Sequence, residues 1–185
     1  MIELGGKSGY ERSTDVGKMN FDGTFEAKTS TTRTSRNAWC EGDCYKDELV
    51  QNVLQRIAEL TGIPDINSEY LQLLQYETGQ FYRRHHDYIE ADENRPQGPR
   101  ILTAFLYLND VEKGGGTNFP QLDLTVMPKR GRILLWPSVR NDHPSKKDYT
   151  TEHQALDVEA GYKYAANAWI HLRNFKTHHD NGCTG

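Results

Sequence analysis

From residue 69 onward the chain is written in short pieces. Leu71, Leu73 and Leu74 open an apolar run, and Ile101–Leu108 is a second, ended by Asn109-Asp110. Gly114-Gly115-Gly116 marks a turn, Leu122–Val126 alternates, and Arg132–Trp136 is an apolar run closed by Pro137. Runs of this length, rich in β-branched and aromatic residues and punctuated by Gly, Pro and Asn, read as strands. One helix precedes them. Asp47 opens it, Leu49, Val50, Val53, Leu54, Ile57 and Leu60 recur at helical spacing, and Gly62 and Pro64 stop it. Its apolar stripe should pack on a sheet. The pattern predicts a mainly β chain with flanking helices (α+β), a sandwich or jelly roll.

The last strand carries two different faces. Tyr162, Tyr164, Ala166, Ala168 and Ile170 make one side of Tyr162–His171. Lys163, Ala165, Asn167, Trp169 and His171 make the other. The first side reads as core. The second, with a cation, an indole and an imidazole, reads as the wall of a cavity.

The 185 residues are enough for a single domain, 1–185, with a real core. A net charge of −4 and a pI near 6.0 give no electrostatic footprint for nucleic acid. No apolar run is long enough to span a bilayer, and Met1–Gly6 has neither a basic nor an apolar leader region. Of the three cysteines, Cys40 and Cys44 are close enough for a local disulfide, and either could pair with Cys183. No second cysteine pair completes a four-ligand zinc site. Residues 1–45 are polar and rich in Gly, Ser and Thr, which reads as a tail or long loop with a few short strands. Within it, residues 25–45 read as a substrate-binding loop that closes over its ligand, with Phe25 and Trp39 to dock it.

Chemistry concentrates in Tyr76–Asp87. His85 and Asp87 stand two apart, so an extended backbone aims both at one point. An imidazole and a carboxylate so placed make two thirds of the facial triad that holds Fe(II) and leaves positions open. His86 should face away and be dispensable for metal binding. A second copy, His178-His179-Asp180, sits at the C-terminus with no further ligand after it. The missing imidazole has five candidates: His143, His153, His171, His178 and His179. His143 lies in an apparent loop. His153 follows where the chain returns to extended structure, and Lys163 comes ten residues later.

Taken together, these residues resemble the catalytic domain of prolyl 4-hydroxylases, within the Fe(II)/2-oxoglutarate dioxygenases. The family pattern is Tyr-x-x-Gly-x-x-Tyr-x-x-His-x-Asp, then Gly-Gly-x-Thr, then a distal His with Lys ten residues on. It is matched by Tyr76, Gly79, Tyr82, His85 and Asp87, by Gly115-Gly116-Thr117 in a one-residue-shifted match, and by His153 and Lys163. Arg33-Thr34-Ser35 and Trp169-Ile170-His171 match two further family segments, and the resemblance covers roughly residues 10–175. Gly116 stands where the family usually has Glu, and Asp157-Val158 where Pro-Val is common.

The resemblance implies a double-stranded β-helix, cupin-like. It implies His85, Asp87 and His153 as iron ligands, and Lys163 as partner of the far carboxylate of 2-oxoglutarate, with Tyr76 and Thr117 assisting. Peptide contacts would come from Arg33, Ser35, Glu69, Tyr82, Arg100, Trp169 and His171. The implied reaction uses O2 and 2-oxoglutarate to hydroxylate peptidyl proline to 4-hydroxyproline, with release of succinate and CO2, and with L-ascorbate as auxiliary reductant. The implied partner is a proline-rich peptide or protein, and the implied compartment is the endoplasmic reticulum or secretory pathway, if an N-terminal signal is missing ahead of Met1. Two alternatives stand beside this reading. One is the same chemistry on another peptidyl or free amino acid. The other is a peptide-binding module without catalysis. A zinc or manganese cupin would leave Lys163 unexplained.

Overall fold

A computed structural model describes residues 1–19 and 25–184. The strands in chain order are β1 (Glu11–Arg12), β2 (Thr14–Met19), β3 (Phe25–Thr29), β4 (Arg36–Cys40), β5 (Leu71–Tyr76), β6 (Tyr82–His85), β7 (Arg100–Tyr107) and β8 (Lys113–Gly114). They continue with β9 (Thr117–Phe119), β10 (Leu124–Val126), β11 (Ile133–Pro137), β12 (Val139–Arg140), β13 (His143–Lys147), β14 (His153–Ala155), β15 (Val158–Ala160) and β16 (Lys163–His171). The helices are α1 (Ile2–Ser8), α2 (Gly42–Lys46), α3 (Glu48–Thr61) and α4 (Lys176–Asp180).

Two antiparallel sheets carry the architecture. The larger has the order β1-β4-β5-β16-β7-β11, and the smaller β10-β9-β14-β6. Between them lies one apolar layer, built from Leu74, Tyr76, Phe105, Tyr107 and Ala165 of the large sheet with Phe119 of the small one. The outer face of the large sheet is covered by α3, whose Val50, Leu54 and Ile57 pack on Leu71, Leu73, Ala166, Ala168 and Ile170. Each fully buried Val, Leu or Ile side chain among these contributes about 1.5–3 kcal/mol. β16 alternates as its sequence requires: Ala166, Ala168 and Ile170 face the helix, and the odd residues face the layer between the sheets.

The boundaries of α3 follow from its ends. The Asp47 side chain accepts the Leu49 N–H at 2.9 Å, and Gly62 adopts a left-handed conformation (φ 69°) that ends the helix. The apolar stripe is narrower than the spacing implied, because Leu49 and Leu60 are exposed. Tyr162, expected on the core face of the last strand, precedes β16 and is exposed as well.

The N-terminal third departs most from expectation. Ile2–Ser8 is helical. The stretch 25–45 is not one loop: it holds β3, then β4 within the large sheet, then α2. β4 is a strand because Ala38 and Cys40 bury into the core while Arg36 and Trp39 stay exposed. A disulfide joins Cys40 to Cys44 across the strand–helix junction, and Cys183 is free and exposed. Trp39 rests against Trp169, with ring centroids 6.2 Å apart. The docking expected of the Phe25 side chain lies outside the described residues. Among the described residues, no helix is long and apolar enough to cross a membrane.

Candidate active site

β6 and β14 are neighbours in the small sheet, and His85 and His153 are direct cross-strand partners. Asp87 follows β6 by two residues. The His85 Nε2 lies 3.8 Å from one Asp87 carboxylate oxygen, and the His153 Nε2 lies 3.8 Å from the other. These distances are too long for hydrogen bonds and short enough to share one ion. One ligand atom from each residue falls within 4.8 Å of the others, the one such group among the described residues.

The second nitrogens fix the tautomers. His85 Nδ1 lies 2.8 Å from the Arg83 carbonyl, and His153 Nδ1 lies 3.0 Å from the Thr151 carbonyl. A carbonyl only accepts, so both Nδ1 atoms carry protons and both Nε2 lone pairs point inward. Thr103 Oγ1 donates to Asp87 at 2.6 Å. Burial, reinforced by His153, pushes the His85 pKa down to about 3. Burial would raise the Asp87 carboxyl, but the two imidazoles and the Thr103 hydrogen bond outweigh it and hold its pKa below the usual range. Two imidazoles and one carboxylate, held at this spacing, suit Fe(II).

Lys163 is wholly buried, and its Nζ has no hydrogen-bond partner. It sits 5.1–5.6 Å from the ring centroids of Tyr76, Phe105 and Tyr107. Desolvation alone pushes its pKa down to about 7. A buried ammonium among aromatic walls lacks an anion, and a carboxylate of a bound ligand would supply one. Gly115 leaves room for the lysine stem: a Cβ there would meet Lys163 Cδ at 3.3 Å, and its φ of 69° suits glycine. Thr117 is buried alongside, its hydroxyl 2.7 Å from that of Tyr107, which also reaches the Val126 carbonyl at 3.1 Å.

The expected peptide contacts fall into two groups. Arg33 lies over the Tyr82 ring, 4.9 Å from its centroid, and donates to Gln72 at 2.7 Å. Tyr82 in turn stacks on His85 with centroids 3.6 Å apart. Ser35 is fully buried, its hydroxyl accepting from Arg33 Nε at 3.2 Å, so it supports Arg33 instead of facing a ligand. In the second group, Arg100 covers the Trp169 ring at 3.8 Å and pairs with Glu69. Burial would raise the Glu69 carboxyl, yet Arg100 and His171 outweigh that and keep its pKa low. Glu69, Arg100 and His171 line a cavity of about 430 Å³ together with Trp39, Ile89 and Gln97.

A profile of the 2OG-Fe(II) oxygenase superfamily matches residues 71–171, which include all of these ligand candidates and Lys163. The chain belongs to the 2OG-Fe(II) oxygenase superfamily. Its relatives include the rat "Prolyl 4-hydroxylase subunit alpha-1", 35% identical over 155 residues, covering 81% of this chain and 28% of that one. An Arabidopsis thaliana protein named "Probable prolyl 4-hydroxylase 3" is 33% identical over 83% of this chain and 59% of its own. The chain thus spans under a third of the rat subunit. Among solved structures it is similar to the viral collagen prolyl hydroxylase of Paramecium Bursaria Chlorella virus-1 in complex with 2OG. The TM-score is 0.66 with 28% identity, covering 76% of this chain and 80% of that one. The superfamily's double-stranded β-helix is the two-sheet arrangement described above.

Four residues of this oxygenase site were not anticipated from the sequence. Thr103, Phe105 and Tyr107 lie on one face of β7, and Trp136 packs against His153 with centroids 4.7 Å apart. The alternation Thr103-x-Phe105-x-Tyr107 was available as a signal, but an apolar run hides which face is inward. The second His-His-Asp, by contrast, lies in α4. There Asp180 accepts from the Tyr70 hydroxyl at 3.0 Å and His179 stacks on Phe175.

Proposed function

We propose that this chain hydroxylates peptidyl proline at C4. The observation that carries the proposal is the pairing of two elements bridged by the Phe105–Trp136 contact, with Lys163 over Phe105 and His153 against Trp136. Three inward-facing ligand atoms come from His85, Asp87 and His153, and a buried, unpartnered ammonium comes from Lys163. Bound together, iron, 2-oxoglutarate and O2 supply oxidation of a C–H bond with release of succinate and CO2. His85, His153 and Asp87 bind the metal. Lys163 takes the far carboxylate of 2-oxoglutarate, with Tyr76 and Thr117 beside it. Phe119 and Trp136 flank His153 and exclude water from that side.

Proline as the target rests on the names of the relatives and on the aromatic faces near the ligands. Tyr82, stacked on the ligand candidate His85, and Trp169, beneath Arg100, place aromatic rings beside the site. A proline-rich ligand in polyproline II form presents carbonyls and few N–H groups. Arg33 and Arg100 carry donors for those carbonyls.

The test is mass spectrometry of proline-rich and lysine-containing peptides incubated with the protein, Fe(II), 2-oxoglutarate and ascorbate. The ascorbate keeps the metal ferrous. A single added oxygen on proline, assigned to C4, is the expected product. Succinate release without any oxidised proline peptide would leave the oxygenase reading standing and remove the proline reading. Arg33→Ala is expected to raise the peptide KM by roughly tenfold, the value of one charge-assisted hydrogen bond, while sparing 2-oxoglutarate decarboxylation measured without peptide. Equal loss in both assays would mean that Arg33 supports the site and not the peptide.

A further inference from the structure

The odd-numbered residues around the end of β6 serve the ligand cluster. The even-numbered ones face the other way, and all three grip the same short segment. Arg84 Nε donates to Glu152 at 2.6 Å. The Tyr88 hydroxyl donates to the Ser145 carbonyl at 2.8 Å. Between them, His86 Nε2 lies 2.8 Å from the Asp148 carbonyl, and His86 Nδ1 accepts the Tyr88 N–H at 2.9 Å. Because Nδ1 accepts, the ring proton sits on Nε2, which therefore donates to Asp148. The three partners, Ser145, Asp148 and Glu152, all precede His153 by a few residues.

From Asp148 the bonds run on to the ligand itself. Thr151 Oγ1 donates to the same Asp148 carbonyl at 3.0 Å, and the Thr151 carbonyl accepts from His153 Nδ1 at 3.0 Å. Strand pairing alone holds His153 less firmly. β14 has three residues, and its register against β6 shifts between His153 and Ala155. Its pairing with β6 and with β9 begins at His153 and runs on to Ala155, so neither ladder holds the residues that lead up to it.

We infer that His86 is a positioning residue for the metal site, locking the segment that delivers His153 against the stretch that carries His85 and Asp87. This rests on the reading of those three residues as metal ligands. His86 therefore faces away from the ions' position, as its place in the strand requires, and still governs how tightly an ion is held. Hydrogen-bonding partners one step removed from a ligand commonly control metal affinity by ten- to a hundredfold.

The test is calorimetric titration of the metal-free full chain with Mn(II), scored per folded molecule. His86→Phe keeps an aromatic ring and removes both hydrogen bonds. It is expected to weaken Mn(II) binding by about ten- to a hundredfold, with the fold retained by circular dichroism. His86→Gln keeps a donor at the side-chain tip and is expected to recover most of the loss. Mn(II) binding by folded His86→Phe as tight as in the parent, with binding lost in His153→Ala, overturns the inference and leaves the metal site intact. Parent-like binding in His153→Ala overturns the metal-site reading, and this inference with it. Should His86→Phe not fold, Tyr88→Phe loosens the same segment by one hydroxyl. A severalfold weakening of Mn(II) binding supports the inference there, and unchanged binding rejects it.

Discussion

Lys163→Met is expected to do two opposite things: raise the melting temperature of the ligand-free protein by a few degrees, and weaken 2-oxoglutarate binding by about ten- to a hundredfold. The first effect follows from burial without a partner. An ammonium with no hydrogen bond in an aromatic enclosure destabilises the fold, and methionine fills similar volume with no charge. The second follows from the charge-assisted bond that the dicarboxylate would lose. Proton linkage gives the sign of the pH dependence. An unfolded lysine keeps its proton up to about pH 10.4, whereas the folded one releases it near pH 7. Between those values the unfolded chain binds more protons, so the stability of the ligand-free parent rises with pH across that window. Lys163→Met should flatten the rise. For the same reason the parent's apparent affinity for 2-oxoglutarate should fall as pH climbs above 7, since binding must then take up a proton. Differential scanning calorimetry and ligand titration at several pH values read all four effects. A lower melting temperature with unchanged 2-oxoglutarate affinity would make Lys163 a structural lysine and remove the co-substrate reading.

The same residue shows how much was legible before the fold was known. A lysine on one face of a strand, opposite Ala166 and Ala168, already says that this face meets something polar. Period 2 is local, and it survives folding. So is the 3.6-residue spacing that fixed α3 and its Asp47 and Gly62 ends. What joins His85 to His153 is not local. They meet as cross-strand partners nearly seventy residues apart, a register that depends on the whole small sheet. The resemblance singled out His153; periodicity could not have ranked it above His143, which the fold places in a separate two-stranded ribbon.

The misread positions share one cause. β4 was hidden because only Ala38 and Cys40 of its five residues bury, too few to produce an alternating apolar signal. Ser35 looked like a ligand contact because it is polar and next to Arg33, yet it is sealed under that arginine beside Ser13. His86 faces away from the ligands, as expected, and what it meets on that side, the 143–152 segment, is equally remote in the chain. In each case the deciding neighbour comes from a distant part of the chain. The Cys40–Cys44 pairing was the reverse case: the spacing permitted it, two pairings with Cys183 competed, and the strand–helix junction decided it.

His85→Ala and Asp87→Ala are each expected to lower turnover by more than about a hundredfold, whereas His178→Ala and Asp180→Ala should stay within about twofold of the parent. Both pairs have the same His-x-Asp spacing, so the contrast tests the fold and not the tripeptide. Removing the His85 imidazole leaves two protein ligands where the geometry offers three, and removing Asp87 takes away the carboxylate, whose low pKa keeps it anionic. In α4 the corresponding side chains are differently employed. Asp180 accepts one hydrogen bond from Tyr70 at the surface, and no second imidazole completes a ligand set there among the described residues. Succinate formation with a proline-rich peptide measures turnover. Thermal stabilisation by added Mn(II) measures metal binding independently, since an ion that binds only the folded state raises the melting temperature. The parent and both α4 variants should gain that stabilisation, and His85→Ala and Asp87→Ala should not. Turnover lost in Asp180→Ala but kept in Asp87→Ala would move the metal to the C-terminal helix and undo the assignment of His85, Asp87 and His153.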